Sequence, residues 1–275
     1  MSGETFYKLC GSGNDFVFLD GRHTDLGRWP AHRIARVCAR ATGVGADGFV
    51  ILAPGSAPGA VRFHFFNSDG SRGEMCGNGA LCATRLSAML GLADPADVRL
   101  ETDAGLVRGK ADPAGAARAE LALPDIEVIR SPDVPPLAGE DASGFAVVGV
   151  PHVVVPVADV DAVDVRVRGR ELRFHPAVGP AGANVNFVSG SDRGWVMRTY
   201  ERGVEAETLA CGTGAVACAT ILALRGRATF PWSVTSRAGS VITVSGDLSP
   251  VGALRSPRLA GQARLVFQGT IGPDE

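Results

Sequence analysis

The chain of 275 residues carries a formal net charge of −2 and has an isoelectric point of about 6.2. Because it has no strong basic field, nucleic acid and anionic lipid are poor candidates as partners. The N-terminus lacks the features of a secretion signal, and no apolar run approaches the ~18 residues that span a membrane. We therefore expect no membrane partner and a cytoplasmic location, in which the six cysteines stay reduced.

The first predicted elements are two strands, residues 5–9 and 16–20, around a glycine-containing loop. The loop leaves Asn14 at the mouth of a strand, although an isolated asparagine more often caps its own turn. A helix is predicted over residues 30–41. Residues 43–48 match G-x-G-x-x-G, but they follow a helix and precede a strand, the reverse of the order in a dinucleotide-binding fold. We therefore reject a dinucleotide site.

A strand predicted over residues 61–67 delivers Asn67 to a turn, and a helix is predicted from Gly77 to about residue 90. Cys76 stands directly before this helix, in the sequence Cys-Gly-x-Gly-Ala. A Pro-rich, acidic stretch, residues 124–144, is typical of a linker or surface loop. The sequence therefore predicts two domains with a boundary near residue 120.

The second half repeats this order. It is predicted to contain a β-prone run over 145–157, a segment 159–174 without readable chemistry, strands over 184–189 and 195–200, and a helix over 214–225. Glu201 takes the place of Asn67 at a strand end, and Cys211 again precedes Gly-x-Gly-Ala. Residues 183–187 resemble residues 13–17, which suggests that Asn184 corresponds to Asn14. His152 lies in the β-prone run, where a lone histidine is usually a satisfied polar residue.

A thiol at a helix N-terminus is pushed towards thiolate, because the helix dipole and the unpaired N–H groups favour negative charge. The same N–H groups could hold a substrate carboxylate. Two thiols in matching frames indicate a base on one face of a carbon and an acid on the other, as cofactor-free inversion of a stereocentre requires. The N–H groups in question belong to Gly77 and Asn78 in one half and to Gly212 and Thr213 in the other.

Other chemistry fits less well. Cys76 with Cys82 and Cys211 with Cys218 have C-x5-C and C-x6-C spacing rather than C-x2-C, so we expect no metal site, and the second cysteine of each pair is expected in the core. The C-x-x-C motif of disulfide exchange is absent. Only two lysines are present and neither lies in a cofactor motif, so no pyridoxal phosphate is expected. Phosphate binding by the Gly-Asn-Gly sequence after Cys76 stays open.

With these motifs the chain resembles the diaminopimelate epimerase family, over nearly its whole length. Each motif alone is weakly specific, but together and in this order they are highly specific. The motifs are Gly11-Ser12-Gly13-Asn14-Asp15-Phe16, Phe66-Asn67-Ser68-Asp69-Gly70-Ser71, Met75-Cys76-Gly77-Asn78-Gly79, Pro151-His152, Tyr200-Glu201-Arg202-Gly203 and Glu207-Thr208-Leu209-Ala210-Cys211-Gly212-Thr213-Gly214.

The resemblance implies an α+β fold of two pseudo-symmetric domains. Each would be a barrel-like, mostly antiparallel sheet around a central helix, with the active site in the cleft between the domains. The first domain would comprise residues 1–120 and a returning strand at about 263–275, and the second residues 121–262. The resemblance further implies an isomerase without metal or other cofactor, often a homodimer, in lysine and peptidoglycan precursor synthesis.

The resemblance also implies roles for single residues. Cys76 and Cys211 carry over as the acid/base pair, and His152 and Glu201 as the groups that tune the thiols. The residues that carry over as contacts to a small amino-acid substrate, together with the helix N-termini named above, are Asn14, Asn67, Asn184, Glu201 and Arg202.

Two departures bear on the substrate. Val150 stands where some members have asparagine, and Gly48 where some have glutamine, so two polar contacts are missing. The alternative enzyme with the same fold is therefore a racemase of the histidine or glutamate type. The alternative that is not an enzyme is a carboxylate-binding relative that keeps the fold. An isomerase of the phenazine-synthesis type is disfavoured, because the paired cysteines would be surplus there.

Overall fold

A computed structural model describes residues 3–111, 115–250 and 252–272. The chain forms two compact units, of which unit 1 comprises Met1–Leu121 and Ala260–Glu275 and unit 2 comprises Ala122–Leu259. Each unit combines strands with two α-helices in its described part, which confirms the α+β class. None of the described helices has the length and apolar character that a membrane crossing requires.

Unit 1 contains the N-terminal strands, two helices and the C-terminal strand. Its elements are β1 (Glu4–Gly11), β2 (Asn14–Asp20), α1 (Ala31–Cys38), β3 (Gly48–Pro54), β4 (Ala60–Asn67), β5 (Arg72–Gly73), α2 (Gly77–Met89), β6 (Val98–Thr102), β7 (Gly105–Ala111), β8 (Arg118–Ala122), whose last residue belongs to unit 2, and β18 (Arg264–Ile271).

Most strand pairs of unit 1 are antiparallel, but β2 with β3 and β4 with β6 run parallel. The strands surround α2, which packs against β1, β2, β3, β4, β6 and β7. Residues 78–88 of this helix are buried on every side. A helix enclosed in this way is mostly small and apolar, and its few buried polar groups need partners, as where Thr84 donates to the Ala80 carbonyl and Arg85 to the Ala263 carbonyl.

Unit 2 has the same order of elements. They are β9 (Ile129–Arg130), β10 (Gly144–Val148), β11 (Val150–Pro156), α3 (Val165–Arg173), β12 (Asn184–Ser191), β13 (Gly194–Glu201), β14 (Ala206–Thr208), α4 (Gly212–Leu224), β15 (Trp232–Thr235), β16 (Val241–Leu248) and β17 (Leu254–Gln262), whose last three residues belong to unit 1. Here β11 with β12 and β13 with β15 are the parallel pairs. The central helix is α4, which packs against β10, β11, β12 and β16.

The strand register identifies equivalent positions in the two units, because β2, β3 and β4 pair in the same way as β11, β12 and β13. The equivalent positions are Phe16 and His152, Gly48 and Asn184, Val50 and Asn186, Phe65 and Thr199, and Asn67 and Glu201.

This register overturns one sequence interpretation. Asn14, two residues before Phe16, corresponds to Val150, two residues before His152, and not to Asn184. The counterpart of Asn184 is Gly48. The two departures noted in the sequence are therefore counterparts of asparagines: Val150 corresponds to Asn14, and Gly48 corresponds to Asn184. At each of these two positions one unit has an asparagine and the other unit does not.

In two segments of unit 2 the structure adds detail that the sequence did not predict. The β-prone run over 145–157 is a hairpin of two strands, because Gly149 adopts a positive φ of 70° between β10 and β11. The segment over 159–174 contains α3, whose N-cap Asp164 accepts a hydrogen bond at 3.0 Å from the backbone of Val167. Gly169 lets this helix approach Tyr200, since a Cβ there would lie 2.5 Å from the Tyr200 Cβ.

Candidate active site

Each unit places a cysteine at the N-cap of its central helix. Cys76 has φ −135° and ψ 120°, and Cys211 has φ −136° and ψ 106°, both extended conformations. The Cys76 carbonyl accepts the first helical hydrogen bond of α2 at 2.8 Å, and the Cys211 carbonyl does so for α4 at 3.0 Å. The N–H groups of a first helical turn have no partner within the helix, so each thiol lies beside an anion-binding set of donors.

The two thiols differ in exposure. Cys76 is half-buried and packs against the apolar core of unit 1. Cys211 is buried, and its Sγ lies 3.6 Å from the Oγ1 of Thr213 in the first turn of α4. The predicted donors Gly77 and Gly212 are the first residues of their helices.

Asn78, the second residue of α2, belongs to a chain of side-chain hydrogen bonds. Its Nδ2 donates to Oδ1 of Asn14 at 2.7 Å, and Nδ2 of Asn14 donates to Oδ2 of Asp47 at 3.0 Å. The Oδ1 of Asn78 is buried and has no hydrogen-bond partner among the described residues. A buried acceptor of this kind beside a helix N-terminus is a candidate ligand contact.

Asp47 is itself held by an ionic network. The Arg40 guanidinium contacts Asp47 at 2.5 Å and Asp15 at 2.8 Å, and Lys8 contacts Asp15 at 2.6 Å. Burial alone would raise the pKa of Asp15, but hydrogen bonds from Arg40 and Lys8 outweigh it and lower this pKa to about 2. Asp15 therefore stays charged, and Asp47, held by its ion pair with Arg40, is a fixed acceptor for Asn14.

Equivalent strands end in Asn67 and Glu201. Asn67 donates from Nδ2 to Oγ of Ser71 at 2.9 Å, so its amide is bound within the turn that follows β4. Glu201 is half-buried, and burial raises the pKa of its carboxyl group against an opposing hydrogen bond with Thr208. Glu201 thus retains a proton to higher pH than an ordinary glutamate does.

His152 is fully buried in β11. Burial, followed by the nearby charge of Arg202, lowers the pKa of His152 to about 3, so the imidazole is neutral at neutral pH. Its Nδ1 lies 3.2 Å from Nδ2 of Asn186, within hydrogen-bond distance. Its Nε2 has no hydrogen-bond partner in the part of the chain that the structure describes.

Asn184 and Arg202 are joined directly. Asn184 is buried at the start of β12, where it pairs with His152 of the parallel strand β11. Its Oδ1 accepts from the backbone N–H of Arg202 at 2.7 Å. Unit 2 therefore brings His152, Asn184 and Arg202 together, and unit 1 brings Asn14 and Asn78 together.

Comparison with known proteins identifies the family. A profile of the family described as diaminopimelate epimerase matches residues 6–119 and 144–251. This chain belongs to the diaminopimelate epimerase family. The membership confirms the resemblance found in the motifs and the enzyme class predicted from it, an amino-acid epimerase.

Relatives in the family match nearly end to end. A diaminopimelate epimerase of Gemmatimonas aurantiaca is 47% identical over 279 residues, which cover 97% of this chain and 99% of the relative. One from Aquifex aeolicus is 42% identical over 278 residues, which cover 97% of each protein.

Solved structures outside the family share the fold. A phenazine biosynthesis protein of the PhzF family from Bacillus anthracis superposes with a TM-score of 0.74 at 14% identity, over 99% of this chain and 100% of that chain. A probable proline racemase from Agrobacterium radiobacter gives a TM-score of 0.67 at 18% identity, over 98% and 93% of the two chains. At these identities the likeness concerns the fold alone.

Three polar residues near the family motifs were not predicted as site residues. Asp47 lies in the G-x-G-x-x-G sequence, which was set aside once the dinucleotide interpretation failed. Asn186 and Thr199 lie inside apolar strands. A signal for Asn186 was present, because it is two residues from Asn184 and thus on the same face of β12.

The remaining helix cysteines have structural surroundings. Cys82 and Cys218 are fully buried among apolar side chains, and burial raises the pKa of each thiol well above its ordinary value. Such thiols are inert and serve as small core residues. Among the described residues, no group of three or more His, Cys, Asp and Glu side chains is arranged to hold a metal ion.

Proposed function

We propose that this protein inverts one α-carbon of LL-2,6-diaminopimelate to give the meso isomer, with Cys76 and Cys211 as the two acid/base groups. The observation that carries the proposal is the repeated helix cap, which gives both cysteines nearly the same backbone angles. The names of the relatives from Gemmatimonas aurantiaca and Aquifex aeolicus support the substrate. The reaction would serve lysine and peptidoglycan precursor synthesis.

In the proposed reaction one cysteine acts as thiolate and removes the α-proton, so that a C–H bond breaks and an S–H bond forms. The electron pair moves into the substrate carboxylate, whose oxygens gain negative charge. N–H donors at a helix N-terminus stabilise this charge more strongly in the transition state than in the ground state. The other cysteine, as thiol, then donates its proton to the opposite face of the carbon. No metal or pyridoxal phosphate takes part in the proposal.

The donors proposed for the reacting carboxylate lie in the first turns of the two central helices. They are the backbone N–H groups of Gly77, Asn78, Gly212 and Thr213. Substrate binding is proposed to orient the α-hydrogen towards the thiolate, which converts proton abstraction into an intramolecular step.

His152 and Glu201 are proposed to tune the thiols. The lowered pKa of His152 makes it a neutral hydrogen-bond donor or acceptor, and the raised pKa of Glu201 lets it hold or release a proton near a thiol.

The distal amino-acid end of the substrate is proposed to contact Asn14, Asn67, Asn184, Glu201 and Arg202. Asparagine amides both donate and accept, and a guanidinium binds a carboxylate in bidentate geometry. This set matches an end that carries both an ammonium and a carboxylate group.

One observation favours a second candidate, a racemase of the histidine or glutamate type. A side chain at Gly48 is excluded by packing, because a Cβ there would lie 2.8 Å from Cε2 of Phe65 and 3.0 Å from the Phe66 carbonyl oxygen. The polar contact that some members have at this position is therefore lost in this protein. The site then makes one polar contact fewer to the distal end of a substrate and is less selective for the distal end of diaminopimelate.

Incubation with LL-diaminopimelate in deuterated water tests the proposal. We expect meso product that carries deuterium at the inverted carbon. Activity on histidine or glutamate with none on diaminopimelate would favour the second candidate. Neither inversion nor exchange with any amino acid would favour a non-catalytic carboxylate-binding protein.

Single substitutions test the two cysteines. Cys76→Ala and Cys211→Ala should each lower kcat by roughly 10²–10⁴-fold, the usual contribution of an acid or base. Cys10→Ala is the control, because Cys10 is a half-buried thiol on β1 whose Sγ contacts Gln262 at 3.6 Å. Full activity in either of the first two variants would refute the two-base scheme.

We further propose that the protein is a cytoplasmic homodimer. Size-exclusion chromatography with light scattering would test the dimeric state.

A further inference from the structure

Unit 2 contains a buried chain of side-chain hydrogen bonds at positions whose equivalents in unit 1 hold apolar residues. Oγ1 of Thr199 donates to Oδ1 of Asn186 at 3.0 Å. Nδ2 of Asn186 donates to the Val153 carbonyl oxygen at 3.1 Å and to Nδ1 of His152 at 3.2 Å. His152, Asn186 and Thr199 are each at most 2% exposed.

The partners fix the orientation of the Asn186 amide. A backbone carbonyl only accepts, so the amide nitrogen must face Val153, and its second proton then points to Nδ1 of His152. Nδ1 is therefore an acceptor. A neutral imidazole with an accepting Nδ1 carries its proton on Nε2, which is the nitrogen without a described partner.

The fold does not need this polar chain. The equivalent positions in unit 1 hold Phe16, Val50 and Phe65, which are buried in the apolar core, and the two phenylalanine rings pack edge to face at 6.4 Å. The same backbone is thus built around apolar side chains in unit 1. Burial of three polar side chains in unit 2 costs free energy that only their mutual hydrogen bonds offset, so the chain is not explained by packing alone.

The chain also reaches the Cys211 helix. A Cβ at Gly214, in the first turn of α4, would lie 2.2 Å from Oδ1 of Asn186 and 3.2 Å from Sγ of Cys211. Asn186 therefore packs on the helix turn that carries the thiol, while its nitrogen holds His152.

We propose that Asn186 is a positioning residue which, oriented by Thr199, locks His152 as the Nε2–H tautomer and holds it relative to the first turn of α4, the turn that follows Cys211. The catalytic part of this inference rests on the proposed function. The tautomer does not, because it follows from the hydrogen bonds alone. The first turns of the two central helices, although they share a backbone frame, then pack against different side chains, Asn186 at Gly214 and Phe63 at Gly79.

The first experiment is a long-range ¹H–¹⁵N correlation spectrum of the full chain labelled with ¹⁵N-histidine. We expect a protonated Nε2 and an unprotonated Nδ1 for His152, assigned by its loss in His152→Phe. In Asn186→Asp the carboxylate accepts from Nδ1, so we expect the proton to move to Nδ1. An Nδ1–H tautomer in the wild-type protein, or no change in Asn186→Asp, would overturn the proposal whatever the activity on diaminopimelate.

Kinetics provide the second experiment. Asn186→Asp should lower kcat by between about 10-fold and 10⁴-fold, the range seen when partners of functional histidines are changed, with little change in KM. Thr199→Val removes the donor to Asn186 and should also lower kcat, whereas Thr199→Ser keeps the hydroxyl and should restore it. If Asn186→Asp fails to fold, the two Thr199 variants decide. Equal kcat in Thr199→Val and Thr199→Ser would refute the positioning role. Inactivity of the wild-type protein on diaminopimelate would refute the proposed function, and the histidine spectrum would then test the tautomer by itself.

Discussion

The side-chain amide of Asn78 donates to Oδ1 of Asn14 at 2.7 Å, which ties the second residue of α2 to the first residue of β2. This bond leaves the Asn14 amide nitrogen to face Asp47, which accepts it at 3.0 Å. An amide can face only one way when both of its ends are bound. Asp47 therefore determines how Asn14, a proposed substrate contact, is presented beside Cys76.

We predict that Asp47→Ala raises KM for diaminopimelate about tenfold, because the loss of a charge-assisted hydrogen bond lets the Asn14 amide turn. The change in kcat should be smaller, since neither thiol nor helix cap is altered. Steady-state kinetics at fixed pH measure both constants.

Asp97→Ala is the matched control for Asp47→Ala. Asp97 also pairs with an arginine in unit 1, Arg108 at 3.0 Å, but it lies in the bend just before β6 and this pair is solvent-exposed. Removal of such an exposed pair has little effect on stability or binding. If the two variants show the same KM, the orientation of Asn14 does not depend on Asp47.

The buried histidine should make stability depend on pH. The pKa of His152 is about 3 in the folded protein, against an ordinary value of 6.5. Between these values the unfolded chain binds a proton that the folded chain does not, so the free energy of unfolding falls as pH falls through this window. Below pH 6.5 the slope approaches about 1.4 kcal/mol per pH unit for this one group.

We predict that His152→Phe, which installs the residue found at the equivalent Phe16, removes this slope between pH 7 and pH 5. Urea denaturation at several pH values measures it, as the difference in slope between variant and wild type. The carboxyl group of Asp15 does not interfere, because its pKa of about 2 places its effect at lower pH. An unchanged slope in His152→Phe would contradict the assigned burial effect.

The helix caps and strand ends were predictable because their signals are local. A cysteine before Gly-x-Gly-Ala specifies a helix start, and alternating apolar residues that end in Asn67 or Glu201 specify a strand that delivers a polar residue. The pairing register of β12 on β11 joins residues that are far apart in the sequence, so local signals do not reveal it. Without this register, the sequence comparison matched Asn184 to Asn14 rather than to Gly48.

The polar partners of the site could not be found in this way. Asp47 became a partner of Asn14 only when β3 was laid parallel to β2, more than thirty residues along the chain. Helix α3 was missed because its buried face includes Arg168 and Gly169 among few apolar residues. Its burial depends on tertiary contacts, such as the ion pair between Arg168 and Glu140 at 2.7 Å. Hydrophobic periodicity in the sequence does not reveal contacts of this kind.

Gly79 and Gly214 are the third residues of the two central helices. Substitution of each by alanine tests, through the free energy of unfolding alone, whether Asn186 packs firmly on the first turn of α4. A Cβ at Gly79 would make ordinary contacts at 3.5 Å with Cys76 and Phe63, whereas at Gly214 it would collide with Asn186 Oδ1 at 2.2 Å. We predict that Gly214→Ala lowers the free energy of unfolding by about 1–3 kcal/mol, as overpacking does. Gly79→Ala should leave it unchanged or raise it by less than about 1 kcal/mol, because alanine favours helix. Urea denaturation compares the two, and equal effects would mean that Asn186 yields to the added methyl group and does not hold the first turn of α4.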